Sequence, residues 1–222
     1  MKRVGMSRQK LGRFVGVVFD LDGTLTHPGA IDFAAIRQRC GMPPDADIVA
    51  SLAVMPDAAR LRAIVEEEEE FGLQRQSLRH DCVDMLAALD RVGFKRALHT
   101  RNNDDAMMRT LRLLDDADDA AGFSILLSRS FLPSKPHPDG ILHISRAWQC
   151  EPRELVMVGD SADDMIAGRR AGARTVLIEH HLPYFEQARL HADHVVKSLM
   201  DLVPLLVALN ESAAALEGDA AV

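Results

Sequence analysis

The apolar run Val15-Gly16-Val17-Val18-Phe19 stops at a pair of aspartates, Asp20 and Asp22, with Gly23 directly after. Short, β-branched and followed by turn residues, the run reads as a buried strand. Two carboxylates two residues apart at such a strand end carry a structural cost, because like charges held close repel and raise one pKa. An open α/β sheet gives them a use, since its ligands bind beyond the carboxyl ends of the strands, where topology switches. A cation between the carboxylates, or the need to keep one of them protonated, offsets the repulsion. Gly23 lets backbone approach a ligand closely.

The rest of the chain fits such a sheet. Phe94 to His99, Ser124 to Ser128, Leu155 to Gly159 and Arg174 to Ile178 read as strands, and His194 to Val196 as a weaker sixth. Helical spacing recurs between them: Cys82, Met85, Leu86 and Leu89 before Gly93, then Ile141, Ile144 and Trp148, then Met165, Ile166 and Arg169 before Gly172. Strands alternating with helices predict a mostly parallel sheet covered on both faces. Residues 26–80 break the alternation, with helical candidates at Ile31 to Cys40 and Pro56 to Phe71 but no strand. An insert of that length suggests a small helical cap domain. The expected organisation is a core of residues 1–25 and 81–209, a cap of 26–80, and an Ala- and Glu-rich tail, 210–222, that frays. From His180 to Leu190 a lid, a hairpin and a plain loop all remain open.

A chain of 222 residues allows one large domain or a core with a small insert. Its net charge of -7 disfavours nucleic acid and anionic membrane surfaces as partners. Cys40, Cys82 and Cys150 are odd in number and form no C-x-x-C pair, which argues against a zinc site or a disulfide framework and for a reducing, cytoplasmic location. No run approaches the roughly 18 apolar residues of a membrane span. The stretch before Asp20 has Lys2, Arg3, Arg8, Lys10 and Arg13 and no acid; a basic tail and an organellar targeting segment both fit it. Oligomeric state is not readable.

A second acidic group follows a second strand, Gly159-Asp160-Ser161-Ala162-Asp163-Asp164. Carboxylates from two strand ends suit a hard cation, and few protein ligands with several waters suit Mg²⁺. Upstream, two prolines stiffen Ser134-Lys135-Pro136-His137-Pro138-Asp139 and hold Lys135 before a helix. Another strand ends in His99-Thr100-Arg101-Asn102, where a hydroxyl and amides can cradle a phosphate.

Together these residues resemble the haloacid dehalogenase superfamily. Its four motifs occur in order across roughly residues 15–180: Asp20-x-Asp22-Gly23-Thr24, a strand ending in Thr100, Lys135, and Gly159-Asp160-x-x-x-Asp164. The helical insert resembles that of the family's phosphoglycolate phosphatase-like branch. The resemblance implies a Rossmann-like three-layer α/β/α core in which the first strand is central and adjacent to the strand of Asp160. It implies a phosphatase acting on a small phosphorylated metabolite. Asp20 would be the nucleophile and Asp22 the acid and base. Mg²⁺ would be held by Asp20, the backbone carbonyl of Asp22 and Asp160, with Asp164 bonding its waters. Thr100 and Lys135 would contact the phosphoryl group, alongside Gly23 and Thr24. The dehalogenases lack an acid at the position of Asp22, because a halide needs no proton. Family spacing favours Asp164 over Asp163. Arg101 departs mildly from the Thr-Asn that relatives often carry, and either adds a cation near the phosphate or points to solvent.

Other readings compete. A phosphomutase on the same scaffold would keep water from the aspartyl-phosphate. A phosphonate hydrolase would need a cap lysine, and residues 26–80 contain none. A phospho-receiver would lack Asp22-Gly23-Thr24 and a cap insert, and a non-catalytic binder would have lost one of the catalytic positions, of which none is missing. The Glu66 to Glu70 run reads as a solvated helix face. His180, His181, His191 and His194 meet no ligand spacing and read as exposed loop residues. His27, just past the first motif, is a weak candidate for the cleft.

Overall fold

A computed structural model describes residues 13–218 apart from 47, 49–50, 52–53 and 116–121. Six strands form one parallel sheet: β1 (Gly16–Phe19), β2 (Lys95–His99), β3 (Phe123–Leu127), β4 (Leu155–Gly159), β5 (Arg174–Ile178) and β6 (His194–Val196). Their order is β3-β2-β1-β4-β5-β6. The chain runs outward on one side of β1 and then crosses to the other side, so the switch point lies between β1 and β4, beside Asp20 and Asp160.

Both central strands are buried along their whole length, as a sheet covered on both faces requires. Side chains alternate across the sheet. Val17, Phe19, Val156 and Val158 face α3 (Cys82–Arg91) and α8 (Leu202–Gly218) through Met85, Leu86, Leu89, Leu202 and Leu206. Val18, Leu155 and Met157 face α5 (Asp139–Trp148) and α6 (Ala162–Ala171) through Ile141, Ile144, Ala167 and Ala171. The remaining core helices are α4 (Asp104–Asp115) and the short α7 (Phe185–Arg189), which settles the open segment between His180 and Leu190.

Between β1 and α3 lie α1 (Phe33–Cys40) and α2 (Ala58–Arg75), which bury Ile36, Cys40, Met42, Ile48, Leu61 and Val65 in a cluster of their own. The helix α1 starts two residues later than the apolar pattern suggests, because the Asp32 carboxylate accepts the amides of Ala34 and Ala35 and so fixes the first turn. The helix α2 runs past Phe71 to Arg75. Gly72 does not stop it; a Cβ there would stand 2.5 Å from Ile31 Cγ1, so the glycine is a close-packing point within the helix. The insert leaves and rejoins the core through an antiparallel bridge between Thr26 and Leu78.

Residues 210–218 continue α8, since Ala, Leu and Glu favour helix. Asn210 also ties that helix to the start of the sheet, accepting from Phe14 N at 2.7 Å and donating to Phe14 O at 3.2 Å. The basic residues Lys2, Arg3, Arg8 and Lys10 lie outside the described residues, as do residues 219–222. Among the described residues no helix is long and apolar enough to cross a membrane.

Candidate active site

The parallel pairing of β1 with β4 brings Asp20 and Asp160 out of the sheet side by side, with Asp20 N donating to Val158 O at 2.9 Å. Carboxylate oxygens of Asp20, Asp160 and Asp164 lie within 4.8 Å of one another. Lys135, buried in the loop before α5, donates from Nζ to Asp20 Oδ1, Asp164 Oδ1 and the His99 carbonyl, each at 2.6 Å. The other oxygen of Asp164 accepts from Ser161 N at 3.1 Å and Ser161 Oγ at 2.6 Å, which locks it into the first turn of α6.

The charges are unbalanced. Three carboxylates surround one ammonium. Burial pushes the Asp20 carboxyl up to about 7, with Lys135 opposing the rise and Asp164 adding to it. Asp160 is held well above the ordinary range by burial and by the charges of Asp20 and Asp164. Burial pulls the Lys135 ammonium toward neutrality, but Asp164 and Asp20 outweigh it and its pKa is raised. A divalent cation fits this donor set. It would favour the ionised form of groups that otherwise resist ionisation together, and all-oxygen ligands suit Mg²⁺. Gly23 adds a geometric fit. Its φ is +74°, and a Cβ there would stand 2.1 Å from Asp160 Oδ2, so only glycine lets this turn approach the cluster.

Asp22 is held differently. Its Oδ1 accepts from Gln76 Nε2. Burial lifts its carboxyl above the ordinary range, against the pull of the Asn102 amide, Lys135 and Gln76. Thr100 is buried, with Oγ1 accepting from Asn102 N at 3.1 Å.

These groups open on a cavity of about 830 Å³ between the core and the helical insert. Asp20, Asp22, Gly23, Thr100, Arg101, Lys135 and Asp160 line it. Two expected residues stand apart. Asp164 sits beneath Lys135 and does not reach the cavity wall. Thr24 is fully buried and also off the wall, because the turn in which Thr24 N and Leu25 N both bond back to Leu21 O carries it inward. Arg101 faces the cavity and pairs with Asp163 at 2.5 Å, so the two form one ion pair on the wall.

Several contributors carry no motif. Gln76, at the end of α2, reaches Asp22 across 54 positions of sequence. Arg79 Nη2 donates to Gly23 O at 2.7 Å and so braces the turn. His180 is buried, not exposed as expected; its Nδ1 accepts from Leu182 N at 3.1 Å, which leaves Nε2 to donate to Asp160 O at 3.0 Å. Tyr184 donates to Asp160 Oδ2 at 3.3 Å. His27 does line the cavity. The glutamate run is also not a uniformly solvated face. Glu67 and Glu68 hold Arg39 within the insert, whereas Glu69 binds Arg129 at 2.5 Å and Glu70 binds Arg109 at 2.8 Å, both in the core.

Comparison with known proteins supplies the context. A family model for haloacid dehalogenase-like hydrolases matches residues 14–172. A haloacid dehalogenase-like hydrolase domain-containing protein of Arabidopsis thaliana is 34% identical over 212 residues, covering 87% of this chain and 84% of its own. A phosphoglycolate phosphatase of Chromobacterium violaceum is 30% identical over 216 residues, covering 86% of this chain and 95% of its own. The crystal structure of a haloacid dehalogenase-like hydrolase from Bacteroides fragilis shares the fold, with a TM-score of 0.69 at 19% identity over 86% of this chain and 100% of that one.

Proposed function

The chain belongs to the haloacid dehalogenase-like hydrolase family, and from that premise we propose that it is a Mg²⁺-dependent phosphatase of a small phosphorylated metabolite. The reaction runs in two displacements. An oxygen of Asp20 attacks phosphorus, the bond from phosphorus to the ester oxygen breaks, and Asp22 gives that oxygen its proton. Water then attacks the aspartyl-phosphate, Asp22 takes the water's proton, and the bond between phosphorus and Asp20 breaks to release phosphate.

The observation that carries this reading is the difference between the two aspartates. Burial lifts both carboxyls, but Asp20 bonds an ammonium at 2.6 Å and stands at the cation position, and both neighbours favour the ionised form a nucleophile needs. Asp22 is instead bonded by the neutral amides of Gln76 and Asn102, which suits a group that must carry a proton and pass it on. Thr100 and Lys135 stand where they can hold phosphoryl oxygens. Asp20, Asp160 and the backbone carbonyl of Asp22 would hold the cation, with Asp164 reaching it through water. When bound, Mg²⁺ screens the charge of the phosphoryl group from that of the nucleophile. The insert is a cap that closes the cavity and excludes bulk water. A cytoplasmic location belongs to the same reading and rests on the dispersed cysteines.

The test is phosphate release from a panel of small phosphate esters, with Mg²⁺ and with chelator, by wild type and Asp20→Asn. Release confined to magnesium-loaded wild type is expected. Release that survives Asp20→Asn or chelation would overturn the reading.

A further inference from the structure

Gln76 is the residue at which the cap helix α2 ends, and with Asn102 it is one of the side chains bonded to Asp22. Its amide is used at both ends. Nε2 donates to Asp22 Oδ1, and Oε1 accepts from Thr110 Oγ1 at 2.5 Å. Thr110 lies on α4 and is 1% exposed, so its hydroxyl comes from a fixed part of the core. An amide can otherwise turn over and present its oxygen to the carboxylate; the Thr110 hydroxyl has one proton, and of its two acceptors Gln76 Oε1 at 2.5 Å is nearer than Ala106 O at 3.1 Å, which favours the orientation in which Nε2 faces Asp22.

The rest of α2 docks on the same region of the core. Glu70 pairs with Arg109, the residue before Thr110, and Glu69 pairs with Arg129. Gln76 therefore reaches both Asp22 and Thr110 while the cap helix is seated, and lifting α2 away would withdraw it from both. Cap position and the setting of the acid–base carboxyl are joined through one side chain.

We propose that Gln76 is a positioning residue for Asp22, clamped by Thr110, which turns the Asp22 carboxyl toward the ester oxygen only when the cap is docked. The inference rests on the phosphatase reading, in which Asp22 protonates the leaving oxygen. It adds that the cap, besides enclosing the substrate, completes the acid.

Leaving-group dependence separates this role from a structural one. An alkyl phosphate expels a poor leaving group and needs the proton; p-nitrophenyl phosphate expels a stable phenolate and hardly does. The ratio kcat/KM, which reports the step up to release of the alcohol and not the later hydrolysis of the aspartyl-phosphate, would be compared on both esters for wild type, Asp22→Asn, Gln76→Leu and Thr110→Val. Gln76→Leu is expected to lose roughly 10- to 100-fold on the alkyl ester, below the full range for acid–base catalysis, and only a few-fold on p-nitrophenyl phosphate. Thr110→Val is expected to show a smaller loss with the same selectivity. It conserves shape, so it keeps the test open if Gln76→Leu fails to fold. Selective loss in Asp22→Asn with equal or no loss on the two esters in both Gln76→Leu and Thr110→Val would overturn the positioning role alone. An inactive wild type, or an Asp22→Asn variant that loses both esters equally, would overturn the acid–base reading beneath it.

Discussion

Gly23 and Asp160 stand so close that a Cβ on Gly23 would lie 2.1 Å from Asp160 Oδ2. The turn after β1 and the end of β4 thus share one space, and the carboxylate occupies it. Gly23→Ala combines two penalties. Its φ of +74° disfavours an L residue by roughly 1–2 kcal/mol. The methyl group also forces Asp160 aside. Turnover is expected to fall by about 100-fold or more, as displacements near 1 Å can do, while the fold survives. Urea unfolding should show only the modest backbone penalty. Calorimetric titration should show weaker Mg²⁺ binding than in wild type.

The acidic cluster makes the stability of the metal-stripped protein depend on pH. Asp20 rises from an ordinary value near 3.8 to about 7 in the fold, and Asp160 is raised as well. A carboxyl whose folded pKa is raised binds its proton more tightly in the native state. Its contribution is complete below the unfolded value and is lost as pH rises through the folded one. Metal-stripped protein is therefore expected to lose stability between about pH 4 and pH 7 from this site. Mg²⁺ binds the ionised carboxylates, so its affinity should rise over the same interval and its presence should flatten the loss. Thermal unfolding across that interval, with Mg²⁺ and with chelator, reads both effects.

Lys135 is the counter-charge for two carboxylates, bonding Asp20 and Asp164 at 2.6 Å each while itself 2% exposed. Replacing it with methionine keeps the packing of the side-chain stem but leaves buried charge without a partner. Breaking a buried ion pair from one side costs about 3–5 kcal/mol. Lys135→Met is expected to unfold at lower urea near pH 7.5, to recover part of that loss at pH 5, where Asp20 takes up a proton, and to lose phosphatase activity at both. An equal deficit at the two pH values would show that packing, not charge, is what Lys135 supplies.

Much of this site is legible from local sequence because each principal group sits at a strand end or helix start. Asp20 and Asp160 directly follow buried apolar runs, Thr100 follows a buried strand that also carries Arg96 and His99, and the Ser161 and Asp164 capping box opens α6. The parallel sheet is legible for the same reason: strands buried on both faces are nearly continuous in apolar residues. What periodicity does not carry is the seating of the insert on the core. Gln76 meets Asp22 and Glu69 meets Arg129 across 54 and 60 positions, and nothing near either residue announces the partner. The extension of α2 through Gly72 is not legible because the residue the glycine packs against, Ile31, is distant in sequence. His180 looks exposed because its burial depends on the loop after β5 folding back over Asp160.

The two ion pairs between cap and core should differ in weight. Glu70 and Arg109 are each about half exposed, at 50% and 52%, so solvent screens their pairing and it adds little. Glu69 is 12% exposed and lines the cavity, and its partner Arg129 also donates from Nε to Arg101 O at 2.7 Å. That second bond ties the pair to the loop following Thr100. Arg129→Ala would leave Glu69 as an uncompensated negative charge facing the phosphate ester. The Michaelis constant is expected to rise several-fold, most at low salt, where the field of Glu69 is least screened. Glu69→Gln should change little in the wild-type background and should restore most of the affinity lost in Arg129→Ala. A double-mutant cycle on the Michaelis constant is expected to give a coupling of about 1 kcal/mol, at the upper end for pairs with partial solvent access. Additive effects in that cycle would place the contribution of Arg129 in its bond to the Arg101 carbonyl and not in its pairing with the cap.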